Sequence, residues 1–187
     1  MIFRASLALL FWLTVITGVA FPLLMTGAAQ LLFPDQANGS LIVSQGRIEG
    51  SRLIGQAFED PAYFWARPSA TSPVPYNPAS SSGSNWGPLA PQLRESIEAR
   101  RAALLKADPG NTAPIPADLV TSSASGLDPH ISPEAAEYQV ARVARARGVD
   151  AGAVRSLIAA HTTDRAWGFL GEPVVNVVAL NRALGPK

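Results

Sequence analysis

Between Arg4 and Asp35 the chain carries no charged side chain, and the segment reads ASLALLFWLTVITGVAFPLLMTGAAQLLFP. A helix needs only about 20 apolar residues to span a bilayer. Taken as helix, Leu7 to Leu32 would extend about 39 Å at a rise of about 1.5 Å per residue, enough to cross the hydrocarbon with some tilt. Pro22 is expected to kink it. A cleaved signal peptide is the main rival, because Gly27-Ala28-Ala29 offers small residues that a signal peptidase accepts. The apolar region of such a peptide is shorter, about 7 to 15 residues. The reading adopted is an uncleaved anchor over residues 1–34 and one domain over residues 35–187.

Charge sets the expected orientation. Arg4 and the terminal amine precede the span and Asp35 is the first charge after it, so the positive-inside tendency puts the N-terminus in the cytoplasm and exports the remainder. The span has no ionisable group, and one such helix does not conduct an ion alone. Beyond it, 14 Asp+Glu face all but one of the 15 Lys+Arg, so the exported part is formally neutral. A net charge of +1 excludes a nucleic-acid binder that works by phosphate neutralisation. The absence of cysteine excludes disulfides, thiolate nucleophiles and cysteine-ligated metals.

The exported part reads as α+β. Ser40 to Ser44, Ser51 to Gln56 and Tyr63 to Arg67 are short β-type runs punctuated by Asn38-Gly39, Gly46 and Gly50. Ser69 to Pro91 is a long loop rich in Pro, Ser, Gly and Asn, whose Tyr76 and Trp86 argue that it packs on something. Three helices follow. One opens at Pro91 and stops at Asp108-Pro109-Gly110. The next is capped by Ser132, buries Ala136, Val140, Val143 and Ala144, turns Arg142 and Arg145 outward and ends at Gly148. The third is capped by Asp150 and presents Val154, Leu157, Ile158 and His161 on one face. Gly171 to Leu184 is read as a strand or extended turn passing into a short helix.

Chemistry is harder to find. There is no G-x-x-x-x-G-K-[ST] and no DKTGT-like aspartyl-phosphate sequence, so neither familiar route to ATP hydrolysis is available. His130 and His161 lack partners at metal-ligand spacing. Ser122, Ser123, Ser125, Asp128 and His130 lie close together, but without a G-x-S-x-G elbow they read first as a turn.

Taken in order, GSRLIGQAF, YFWARPSAT (with Tyr63 and Arg67), YNP (Tyr76, Asn77), SSGSN (Ser84, Asn85), DLVTSSASGLDPHISPEAA (Ser125, Asp128) and GEPVVNVVALN (Asn176, Asn181) resemble the C subunit of the bacterial Kdp potassium-transporting P-type ATPase. The resemblance covers essentially the whole chain. It implies a non-catalytic accessory subunit in the bacterial inner membrane, needed for assembly and activity of a high-affinity potassium importer. The implied partners are a channel-like potassium-binding subunit, a P-type ATPase subunit and a small single-span subunit. It implies no bound cofactor except through a family-level proposal that the subunit raises the ATP affinity of the pump. The residues give that proposal no support and the exported orientation opposes it, so the alternative the resemblance leaves is a cap on the external face of the potassium-binding subunit. The ten residues named within the motifs are the candidate interface or motif positions. A membrane-tethered extracytoplasmic serine hydrolase using Ser125 to His130 is the alternative.

Overall fold

The apolar run is a helix from Ile2 to Leu32, long and apolar enough to cross a membrane, with mean hydropathy 2.3. In this computed structural model, which describes residues 2–186 and leaves Met1 and Lys187 outside, α1 (Ile2–Val15) passes through a π turn (Ile16–Ala20) into α2 (Phe21–Leu32). Pro22 has no N–H to give and its ring crowds the carbonyl one turn earlier. Widening that turn lets the helix continue, so the expected disruption takes the form of a π turn. A short turn, α3 (Pro34–Ala37), leads to the antiparallel hairpin of β1 (Leu41–Ser44) and β2 (Arg47–Ser51). Gln45 and Gly46 join them with φ of 50° and 75°, the double left-handed conformation of a tight hairpin turn. The expected strand at Ser51–Gln56 is corrected: pairing begins just after Gly46 and ends at Ser51.

The chain forms two compact units, Met1–Ser51 and Arg52–Lys187. The second holds α4 (Pro91–Ala107), a 3-10 turn (Ala117–Leu119), β3 (His130–Ile131), α5 (Pro133–Arg147), α6 (Ala151–Ala160), β4 (Thr162–Thr163), β5 (Val174–Asn176) and α7 (Val177–Leu184). Its antiparallel sheet has the order β3-β5-β4, with Ile131 and Thr162 both opposite Val175. The helix ends follow the sequence. Ser132 Oγ and Asp150 Oδ2 accept from the N–H groups of Ala135 and Ala153, each at 3.0 Å, and Gly148 closes α5 at φ 67°. The closing stretch is the expected strand and short helix, with Asn176 Oδ1 capping α7 through Ala179 N–H at 2.9 Å. The core gathers Phe64, Leu119, Ile131, Val140, Val143, Val154, Val175 and Leu180.

Tyr63 to Arg67 is no strand among the described residues. It is extended and buried at alternate positions, Ala62, Phe64 and Ala66, but side chains take the place of a neighbouring strand. Asn181 accepts from Phe64 N–H at 2.8 Å and donates to Phe64 C=O at 2.9 Å. Gln139 does the same for Trp65, at 2.7 and 3.1 Å. Arg142 donates to the carbonyls of Pro61 and Tyr63, and Arg147 to that of Ala62. The outward orientation expected of Arg142 is therefore wrong: it is 3% exposed, because the neighbouring surface is a row of carbonyls that needs donors. Arg145 does project, with its side chain 62% exposed.

Asn181→Ala leaves both buried polar groups of Phe64 unsatisfied. It should cost about 2–5 kcal/mol, read as a lower urea midpoint for the full chain in detergent. An exposed-site control such as Arg182→Ala should shift it far less.

Candidate functional site

The motif loops meet. Arg67, delivered by the extended segment, donates to Asp128 Oδ2 at 3.4 Å and to Ser122 C=O at 3.3 Å. Asp128 Oδ1 accepts from His130 N–H at 3.0 Å and lies 3.2 Å from His130 Nδ1. Burial pushes the Asp128 carboxyl up. The side-chain and backbone bonds from His130, with the charges of His130 and Arg67, outweigh that and hold it below the usual carboxylate range. The pair is neither fully buried nor free, with side-chain exposures of 28% and 29%.

The loop from Ser69 to Pro91 is irregular but tied down. Tyr76 Oη donates to Arg67 C=O at 2.5 Å, and burial pushes its hydroxyl up to about 12 against the opposing charge of Arg100. Ser69 Oγ donates to Gly126 C=O at 2.7 Å and accepts from Tyr76 N–H at 2.9 Å. Asn77 closes a turn onto Ala79 N–H and donates to Ser72 C=O. Ser82 N–H and Ser81 Oγ both donate to Ser125 C=O, at 3.0 and 2.9 Å. Ser84 Oγ accepts from Ser122 Oγ at 3.3 Å. The approach of the two backbones requires glycine at Gly126, which has φ 68° and whose added Cβ would lie 2.6 Å from Ser82 O.

Eight of the ten sequence candidates thus gather around two supports. Arg67, Tyr76, Asn77, Ser84, Ser125 and Asp128 belong to the loop clamp. Asn181 holds the extended segment, and Tyr63 lies beneath the Arg147 guanidinium, 4.7 Å from the ring centroid. Asn176 stands apart as a helix cap that also donates to Arg52 C=O. Asn85 adopts φ 52°, a conformation asparagine tolerates, and so turns the loop. Gln139, Arg142 and Arg147 were missed. A polar residue spaced with the buried stripe, as Gln139 is with Ala135 and Ala136, was the available signal.

For the hydrolase alternative, an aspartate and a histidine are in contact, but each nearby serine is engaged elsewhere. Ser125 Oγ accepts from Leu127 N–H, Ser122 Oγ is bonded to Ser84, and Ser123 is buried. Among the described residues no hydrogen bond joins these serines to His130, and no group of three His, Cys, Asp or Glu could hold a metal ion.

Compared with known proteins, residues 3–185 match the family model described as K+-transporting ATPase, c chain. The chain belongs to the KdpC family. It is similar to the potassium-transporting ATPase KdpC subunits of Methylococcus capsulatus, 61% identical over 96% of this chain and 94% of that one, and of Dechloromonas aromatica, 59% identical over 97% and 95%. The KdpC subunit of Herpetosiphon aurantiacus is 59% identical over 97% and 94%.

Because Asp128 is held below its unfolded value of about 3.9, the stability it contributes is present above that value and is lost as pH falls through the lower folded one. The gap in urea midpoint between the natural KdpC chain and its Asp128→Asn variant should be steady near neutrality and close below about pH 4. Arg67→Ala should cost about 1–2 kcal/mol and raise the Asp128 titration followed by carboxyl NMR.

Proposed function

We propose that the chain is a non-catalytic accessory subunit of an ATP-driven potassium import complex. Residues 1–34 anchor it in the bacterial inner membrane with the N-terminus cytoplasmic, and the folded part lies outside. There it caps the external side of the channel-like potassium-binding subunit and supports assembly and activity, in company with the P-type ATPase subunit and the small single-span subunit. The observation that carries the reading is the family match over residues 3–185, coupled to a terminal apolar helix. The loop clamp supports it by its construction: Ser, Asn, Asp and Arg side chains are consumed in fixing backbone, which suits a shaped surface better than a reacting one. The loops Tyr63 to Asn85 and Thr121 to Pro133 are the proposed contact region.

The rival mechanism, in which the chain raises the ATP affinity of the pump, needs the folded unit on the nucleotide side. Sidedness decides between them. With no native cysteine, one introduced thiol reports alone. Ser123 is a poor position because it is buried, whereas Ser156 on α6 is exposed. In spheroplasts carrying the assembled complex, a membrane-impermeant maleimide should label the Ser156→Cys chain from outside. Labelling only after membrane disruption would put the unit in the cytoplasm and restore ATP contact as the mechanism. A chain that does not co-purify with the other subunits would remove the accessory role altogether.

A further inference from the structure

The connection from β4 to β5 extends beyond the three-stranded sheet as an arm with an aromatic tip. Ala166 and Leu170 pair across it, with N–H to C=O distances of 2.9 and 3.0 Å in the two directions. Arg165 bonds Glu172 at its base. Trp167 and Phe169 lie on the turn with ring centroids 6.5 Å apart. They are 83% and 69% exposed, and Leu170 is 47% exposed.

Three features separate this tip from casual exposure of an apolar residue. Two aromatic rings and a leucine are contiguous on one short turn. Trp167 has φ 52°, a backbone conformation that a bulky residue rarely adopts, and the paired arm holds it there. The arm needs no packing under the rings to keep its shape, since cross-arm hydrogen bonds and an ion pair fix it. Such a tip exposes a large apolar area that loses nothing internal when it is covered.

We propose that the Trp167–Leu170 tip is a docking anchor that inserts into a concave apolar pocket on the external surface of another subunit of the transport complex, at a contact separate from the loop clamp. This rests on the accessory-subunit reading above. Charge selects protein over lipid as the occupant. The arm carries Asp164, Arg165 and Glu172, the only cation among them already paired, whereas surface attachment to anionic lipid draws on clustered Lys and Arg. An aromatic pair that is covered on binding, ringed by a polar and slightly acidic rim, is the pattern of a protein–protein hot spot.

The test uses the full chain with the remaining subunits in detergent. A photo-crosslinking phenylalanine analogue at position 167 should crosslink to a protein subunit, and Trp167→Ala with Phe169→Ala should weaken retention of the chain at least tenfold without moving its thermal midpoint. Trp167→Phe should restore most of that loss. If the natural chain is retained and the double variant is retained equally, the anchor is wrong while the accessory role stands. If the natural chain itself is not retained, the accessory role fails. Crosslinking to lipid instead of protein would overturn the choice of occupant.

Discussion

The fold of the second unit depends on a substitution of side-chain amides for a missing β-strand. A primary amide presents one donor edge and one acceptor edge, as a peptide group does, so Asn181 and Gln139 can each satisfy a residue of the extended segment completely. With Arg142 and Arg147 added, every carbonyl from Pro61 to Trp65 is held by a side chain from α5 or α7. Burying the two guanidiniums would be costly in an apolar setting. Here the carbonyl row accepts hydrogen bonds from their N–H groups, and the Trp65 and Tyr63 rings lie 4.8 and 4.7 Å from them. Burial still pushes Arg142 down to about 10, against the favourable charge of Asp108.

That arrangement fixes where the loops begin. The segment leaves the core at Ala66 and presents Arg67 to Asp128 and Ser122, while Tyr76 returns to the Arg67 carbonyl. Position therefore passes from two helices, through a buried extended chain, to the loop clamp. Removing an amide in the core should therefore act on the clamp at a distance, because the extended segment has no strand neighbour among the described residues to keep it in register.

Local signals in the sequence were legible wherever one residue acts on its own neighbours. Ser132, Asp150 and Gly148 terminate helices by interactions within a few residues of chain, and the apolar stripe of α5 was readable from its period. The extended segment was not readable as what it is. Tyr63 to Arg67 alternates like a strand because its burial does alternate, yet its partners are amides and guanidiniums more than seventy residues away. Arg142 was assigned to solvent for the same reason, since periodicity records which face is covered but not whether the cover is hydrocarbon or carbonyl oxygen. Arg67 and Asp128, which stand in separate loop motifs, are partners of each other. The aromatic arm left no periodic signature, because an isolated turn has no period.

On the proposed reading, the clamp and the arm meet the same physical demand by opposite means. A surface that recognises another protein loses affinity in proportion to the ordering it must undergo on binding. The clamp avoids that loss by using its polar side chains internally, so its backbone arrives already fixed. The arm avoids it through cross-arm hydrogen bonds and an ion pair that hold two large rings, each with few rotatable bonds, clear of the unit. On the proposed reading the first supplies shape and the second supplies apolar area. On that reading, the same division lets a unit with no strong net charge to steer it hold a defined place in a membrane complex.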